Sequence, residues 1–160
     1  MRKAFSMVTA LFVIVLMATV SALILNISAK TVKTTTTQYR QEQAILYAKS
    51  YTELAIMYAT ANNAQSGSNC AEDINGNIGD DVNNGDGYDI QVRISYIGNS
   101  LVCSGTRMLN DQTISITTNN ELQIIVDVYV RYRDPEVIAA WGTSVGAPWV
   151  TYHRRTLQKL

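Results

Sequence analysis

Residues 5–27, FSMVTALFVIVLMATVSALILNI, decide the fold, because this stretch is apolar on every side of any helix that it forms. Five polar residues interrupt it: Ser6, Thr9, Thr19, Ser21 and Asn26. The leucine, isoleucine, valine and phenylalanine side chains together favour insertion by roughly 3 to 6 kcal/mol, which outweighs these interruptions. As a helix the segment spans about 34 Å, the thickness of a hydrocarbon core. We therefore expect residues 5–27 to form a transmembrane helix.

The predicted helix continues beyond this segment, because residues 1–66 contain neither glycine nor proline. Both residue types are costly in a helix interior. The second half, residues 28–62, is amphipathic, and we expect its apolar stripe to pack on a folded domain. The stripe comprises Val32, Tyr39, Leu46, Leu54, Met57 and Ala61, flanked by Tyr47, Tyr51, Ala55 and Tyr58. The threonine-rich stretch TVKTTTTQ, residues 31–38, has poor helix propensity, so a bend or a looser turn is predicted there.

Beyond residue 62 the pattern changes from helical to alternating. Residues 67–89 carry six acidic residues, no lysine or arginine, and several Asn-Gly and Asp-Gly dipeptides, which predicts an acidic loop. Period-two alternation then indicates strands at residues 88–97 and 122–132, with shorter candidates at 101–104, 113–117 and 149–154. Pro135 marks the start of a short helical turn.

These patterns predict an α+β fold in which residues 63–160 form a soluble sheet domain. Its antiparallel sheet has about four strands and one apolar face, and such a face requires a cover. The amphipathic half of the long helix is the expected cover.

A short leader, residues 1–4, contains Arg2 and Lys3 and ends in Ala4, directly before Phe5 and the apolar run. With an unbroken helix followed by a sheet, this N-terminus resembles that of the type IV pilins and type II secretion pseudopilins. The resemblance implies a filament subunit whose leader a prepilin peptidase removes between Ala4 and Phe5, methylating the new N-terminus.

The same resemblance implies partners and a location. The partners would be other pilin or pseudopilin subunits, the prepilin peptidase and an inner-membrane assembly platform. The subunit would cross the bacterial inner membrane once, with its N-terminus cytoplasmic and its soluble domain periplasmic, and would enter a periplasmic filament on assembly. Protein secretion, DNA uptake and surface pili all remain open as the purpose of that filament.

Thr9 departs from the family pattern, in which most members carry glutamate at the fifth position of the processed chain. That glutamate meets the charged N-terminus of a neighbouring subunit, since a charge in hydrocarbon is costly unless it is paired. Family members that lack it are minor subunits at or near the filament tip. The resemblance therefore implies a minor or tip-proximal pseudopilin.

An ordinary signal sequence is the alternative interpretation of the N-terminus. Residues 20–22 and 27–29, VSA and ISA, both resemble signal peptidase sites, which would yield a secreted or anchored periplasmic binding domain. Against this, the apolar run exceeds the 7 to 15 residues or so that are usual for a signal peptide.

The two cysteines, Cys70 and Cys103, predict one disulfide. It would close a loop of roughly 34 residues, stabilise the domain by about 4 kcal/mol, and suit an oxidising compartment. Two buried free thiols are the alternative.

Little in the sequence indicates catalysis or a cofactor. His153 is the only histidine, and no phosphate-binding loop is present, so we expect neither an enzyme nor a zinc site. The one candidate ion site is calcium on Asp80, Asp81, Asp86 and Asp89, without the EF-hand spacing.

Nucleic acid is not the expected partner, since thirteen basic and thirteen acidic residues cancel. A DNA-binding strip is conceivable where arginines adjoin tyrosines near the C-terminus. Interleaved charges on the solvent face of a strand explain the pattern equally well. The residues concerned are Arg131, Arg133, Arg154 and Arg155, with Tyr129, Tyr132 and Tyr152.

Overall fold

A computed structural model describes residues 2–61, 70–98, 107–109, 123–142 and 145–160, with residues 2–6 and 108–109 described by their backbone alone. The chain divides into two compact units, Met1–Arg40 and Gln41–Leu160. Helix α1, Arg2–Ala61, supplies all the structure described in the first unit and also begins the second.

Helix α1 is continuous through residues 31–38, so the looser turn expected as one alternative to a bend does not form there. The threonine hydroxyls in this stretch each donate to the carbonyl four residues earlier, which satisfies them without opening the helix. The donors are Thr31, Thr34, Thr35, Thr36 and Thr37, at 2.9–3.0 Å.

The second unit contains the predicted sheet. The strands are β1 (Asp73–Asp81), β2 (Asp86–Ile97), β3 (Met108–Leu109), β4 (Gln123–Tyr132) and β5 (Val150–Lys159), with the short helix α2 (Pro135–Trp141) before β5. Their order is β1-β2-β4-β5, with antiparallel pairing throughout, and only the two-residue β3 pairs in parallel, with β2. The α+β prediction of a long helix packed on an antiparallel sheet is confirmed.

Most of the predicted individual elements that lie in described residues also form. Strands β2 and β4 coincide with the alternating stretches, and β5 extends the short candidate at 149–154. Pro135 starts α2, whose N-cap is Asp134 and whose C-cap is Gly142 in the left-handed region. The candidates at 101–104 and 113–117 lie outside the described residues.

The prediction of an acidic loop at residues 67–89 is wrong over most of its length. β1 and the start of β2 form a hairpin there, joined by a 3₁₀ turn, Val82–Asn84, in which Asp81 accepts from the Asn84 amide at 3.2 Å. Turn-forming dipeptides dominate the sequence of β1, but pairing with β2 places Ile74 and Ile78 on the half-buried side. Tertiary pairing therefore overrides the local preference.

The core lies on one face of the sheet. Alternate residues of β2 and β4 supply it: Tyr88, Ile90, Val92, Ile94, Tyr96, Ile124, Val126, Val128, Val130 and Tyr132. Three of the aromatic rings form a line, since Tyr47 lies 5.0 Å from Tyr88, which lies 5.5 Å from Tyr132, measured between centroids. Helix residue Tyr47 therefore reaches the core of the sheet.

The face of α1 that packs on the sheet is not the predicted stripe. The buried helix residues are small: Ala44, Ala48, Thr52, Ala55 and Ala59. We call these five residues the alanine seam. Leu46, Leu54 and Met57 of the predicted stripe are 60%, 40% and 64% exposed, respectively. The helix supplies small side chains to a core whose large residues come from the strands, and the flanking Tyr47 and Tyr51 pack against that core.

Gly76 of β1 lies directly beneath an aromatic side chain of α1. A Cβ atom at Gly76 would meet the hydroxyl of Tyr51 from α1. Gly76 therefore leaves room for the tyrosine ring over the strand.

Candidate functional site

The N-terminal part of α1 presents an apolar surface on every side. All described side chains from residue 7 to residue 27 are exposed in the isolated chain, Leu11 by 62% and Leu25 by 71%. Exposed apolar surface on this scale marks contact with a membrane or with other protein. Within the described residues, one helix is long and apolar enough to cross a membrane, and this segment lies in it near the N-terminus.

Polar side chains within the apolar segment bond to the helix itself. Thr19 donates to the Leu16 carbonyl at 2.8 Å, and Ser21 donates to the Met17 carbonyl at the same distance. The Asn26 amide donates to the Ala22 carbonyl at 3.0 Å. Each bond removes a donor that would otherwise be unsatisfied in hydrocarbon, so these residues suit a lipid environment better than their side chains suggest.

The predicted processing site lies at the start of this helix. Ala4 and Phe5 have helical backbone, and their side chains are outside the described set. Thr9 follows one turn later on an exposed part of the helix. Cleavage and methylation at Ala4 and Phe5 stay predictions.

The predicted calcium ligands do not converge. Asp81 caps the 3₁₀ turn: Oδ1 accepts from the Asn84 backbone amide, and Oδ2 accepts from Asn84 Nδ2 at 2.5 Å. Asp89 is paired with Arg131 across β2 and β4. Asp86 lies opposite Asp81 in the hairpin register, and Asp89 lies opposite Asn77. Among the described residues no group of three or more histidine, cysteine, aspartate or glutamate side chains could hold a metal ion. The four aspartates therefore form no metal-binding group among the described residues, and calcium there stays a prediction.

Cys70 is bonded in a disulfide, and its predicted partner, Cys103, lies outside the described residues. The residues after Cys70 are held firmly. Tyr96 donates its hydroxyl to the Ala71 carbonyl at 2.9 Å, and the Arg107 amide donates to Glu72 Oε1 at 2.9 Å. Burial raises the pKa of the Tyr96 phenol. Hydrogen bonds to the sheet and to Arg107 therefore fix the two residues that follow Cys70.

His153 takes part in a cluster that the sequence analysis missed. On the solvent face of β4, Asp127 accepts from Arg155 Nε at 2.7 Å and from Arg155 Nη2 at 2.9 Å. His153 Nε2 lies 2.8 Å from the same carboxylate, and its ring stacks on Tyr129 at 4.4 Å. Arg155, with a smaller contribution from His153, holds the pKa of the Asp127 carboxyl below its usual range despite burial. The arrangement ties β4 to β5.

Only the β4–β5 register brings these residues together, since 26 positions separate Asp127 from His153. In the sequence, the alternation of polar and apolar residues in β4 and β5 places these side chains on one face of each strand. It does not determine which residues of the two strands lie opposite each other.

The predicted basic and aromatic strip is divided between the two faces of the sheet. Arg131 and Arg133 lie on the solvent side with Trp149, whose ring centroid is 5.4 Å and 4.4 Å from their respective guanidinium carbons. Tyr132 is buried in the core, and Tyr152 packs against that core on the opposite side. A continuous strip of the predicted composition does not form.

Comparisons with protein-family models, with curated proteins and with solved structures find no match to this chain.

Proposed function

We propose that this chain is a structural subunit of a filament of the type IV pilin and type II secretion kind, with a minor or tip-proximal place in it. In this proposal α1 anchors the subunit in the inner membrane, N-terminus cytoplasmic, until assembly. Afterwards the apolar segment packs with the same segment of neighbouring subunits, and the sheet domain lies outside. The role is mechanical.

One observation carries the proposal. A single unbroken helix, Arg2–Ala61, contains both an apolar segment exposed on all sides and, from residue 41, a seam that packs on an antiparallel sheet. A signal peptide that is cut away would not need to continue in helical form into the folded domain. A permanent helix of two such halves suits a subunit that moves from lipid into a bundle of helices, since both surround it with apolar groups.

The exposed leucine and methionine side chains of residues 41–61 give a second support. Leu46, Leu54 and Met57 lie opposite the alanine seam by helical spacing and are exposed in the isolated chain. Neighbouring subunits would cover them in a filament.

Thr9 supports the minor or tip-proximal place. A threonine at this position carries no charge, so it offers no anion to the N-terminus of an adjacent subunit inside an apolar bundle. A subunit at the filament end has one side on which no such neighbour is required.

The mass of the mature chain tests the proposal. When the chain is co-produced with a prepilin peptidase, we expect a product that begins at Phe5 and carries one added methyl group. Ala4→Leu places a large residue at the cut and should leave the chain at full length. Ala10→Leu is the matched control and should be processed normally.

A mature chain that begins at Leu23 or Lys30 would overturn the proposal, because those are the products of a signal peptidase acting after VSA or ISA. An uncut chain in the presence of an active peptidase would overturn it as well.

A further inference from the structure

The two edge strands of the sheet carry opposite charges. β1 and β5 lie at opposite ends of the strand order. β5 contains Arg154, Arg155 and Lys159, together with His153, and no acidic residue. β1 contains Asp73, Asp80 and Asp81 and no basic residue. Each edge therefore has three formal charges of one sign.

Both edges are long enough to accept another strand. β5 has ten residues and β1 has nine, and neither contains proline. Within the described residues, β5 pairs with β4 alone and β1 with β2 alone, so one side of each strand has no strand beside it. An edge of this kind is a template for strand addition.

The contacts within the chain neutralise part of this charge, since Arg155 pairs with Asp127 and Asp73 pairs with Arg107. Arg154 donates to the neutral hydroxyl of Thr156 at 3.3 Å, and Asp81 accepts from the neutral side-chain amide of Asn84. Arg155 bonds to Asp127, but its side chain is still 64% exposed. The Asp73 carboxylate, which Arg107 contacts, is 47% exposed.

Charges that only kept edges apart would have the same sign on both strands, since each edge would then repel every other. Here β5 repels β5 and β1 repels β1, whereas β1 attracts β5. The symmetric pairings that close a dimer are disfavoured, and the head-to-tail pairing is favoured.

We propose that β5 of one copy pairs with β1 of a second copy, so that the sheet continues from one molecule to the next. The occupant of each edge is another copy of this chain, selected by charge and held by backbone hydrogen bonds. The inference goes beyond the proposed function, because it requires neither processing at Ala4 nor contact between apolar helices.

Complementary charge reversal tests the pairing in the full-length chain, purified in detergent. The β5 variant, Arg154→Glu with Lys159→Glu, leaves two acidic residues and one arginine on its edge. The β1 variant, Asp73→Lys with Asp80→Lys, leaves two lysines and one aspartate. Copies with two different tags are mixed, and capture of one by the other is measured as a function of concentration.

We expect each variant alone to associate with itself at least about tenfold more weakly than the wild type, because like charges then face each other. Mixing the two variants should restore capture to within a few-fold of the wild type, since each edge again meets an opposite charge. Association of the wild type should weaken in 1 M salt, at which the screening length is about 3 Å.

Two controls make the result specific. Lys30→Glu with Lys49→Glu gives the same change of net charge on exposed helix positions and should leave capture unchanged. Thermal melting of each edge variant at low concentration should match the wild type, which separates lost association from lost folding. Hydrogen exchange of the backbone amides in β1 and β5 should slow when the wild type associates.

If either variant alone captures itself as strongly as the wild type does, the proposal is overturned. Failure of the mixture of the two variants to recover capture would overturn it as well. Association without slower exchange in the two strands would also overturn it, because the contact would then not be a strand pairing. None of these results alters the mass of the mature chain, so the two proposals fail separately.

Discussion

Enlarging one residue of the alanine seam should destabilise the sheet domain more than removing a leucine from the exposed side of the same helix. Ala48 is 0% exposed, and its neighbour Thr52 donates to the Ala48 carbonyl at 2.6 Å. Ala48→Leu adds three carbon atoms at a fully buried position of the core. Overpacking of this kind costs about 1 to 3 kcal/mol.

The matching change in melting temperature follows from the size of the unit. Residues 41–160 should have an unfolding entropy of about 0.25 kcal/mol/K, so a loss of about 2 kcal/mol lowers the melting temperature by about 8 °C. Leu46→Ala removes a side chain that is 60% exposed and slightly improves helix propensity. Its effect should stay within about 0.5 kcal/mol, or about 2 °C.

Thermal unfolding of the full-length chain in detergent, followed by circular dichroism, measures both variants under one condition. If Leu46→Ala lowers the melting temperature as much as Ala48→Leu does, the large apolar residues face the sheet and the described packing is incorrect.

Three further changes have distinct outcomes. Gly87→Ala should cost about 2 to 4 kcal/mol in unfolding free energy, because φ is +141° and a Cβ atom would meet the Ile78 carbonyl oxygen, whereas the control Gly142→Ala, at φ +71° with nothing within 4 Å, should cost about 1 kcal/mol. Because the pKa of Asp127 is lowered, its contribution to stability is complete above the unfolded value of 3.8 and is lost as the pH falls below that value. Denaturant titrations should show Asp127→Asn about 0.5 to 1 kcal/mol less stable than the wild type at neutral pH and equal to it in strong acid. A difference that stays constant at every pH would contradict this cause. Thr9→Glu should raise incorporation into pilin-type filaments formed with partner subunits, measured by quantitative immunoblotting of sheared filaments; unchanged incorporation would remove the main support for the tip-proximal place.

The sequence predicted the elements that depend on a strong periodic pattern. Residues 1–66 exclude glycine and proline, and a single helix from Arg2 to Ala61 forms. The alternation in residues 88–97 and 122–132 identified β2 and β4, because strands with one buried face place every second side chain in the core.

The sequence misidentified the buried face of the helix for a physical reason. Hydrophobic periodicity weighs Leu46 and Met57 above Ala44 and Ala48, although a helix that lies close to a sheet needs small side chains at the contact. The apolar stripe exists, but the domain does not use it.

The hairpin and the ion cluster depended on strand register, which local sequence does not determine. Glycine and asparagine in β1 favour turns, and only the long partner strand β2 makes them extended. The contact of Asp127 with Arg155 and His153 likewise arises from the pairing of β4 with β5.

The two described tryptophans lie at the surface of the domain, whereas three tyrosine rings meet in or beside its core. Tyr47, Tyr88 and Tyr132 line up in the core, whereas Trp141 is 58% exposed and Trp149 lies against arginines on the solvent side. Tryptophan emission should therefore respond to events at the outer surface of the sheet while remaining insensitive to loosening of the helix. The near-ultraviolet tyrosine signal should change when the core opens, because Tyr88 and Tyr132 contribute to it together with surface tyrosines such as Tyr129.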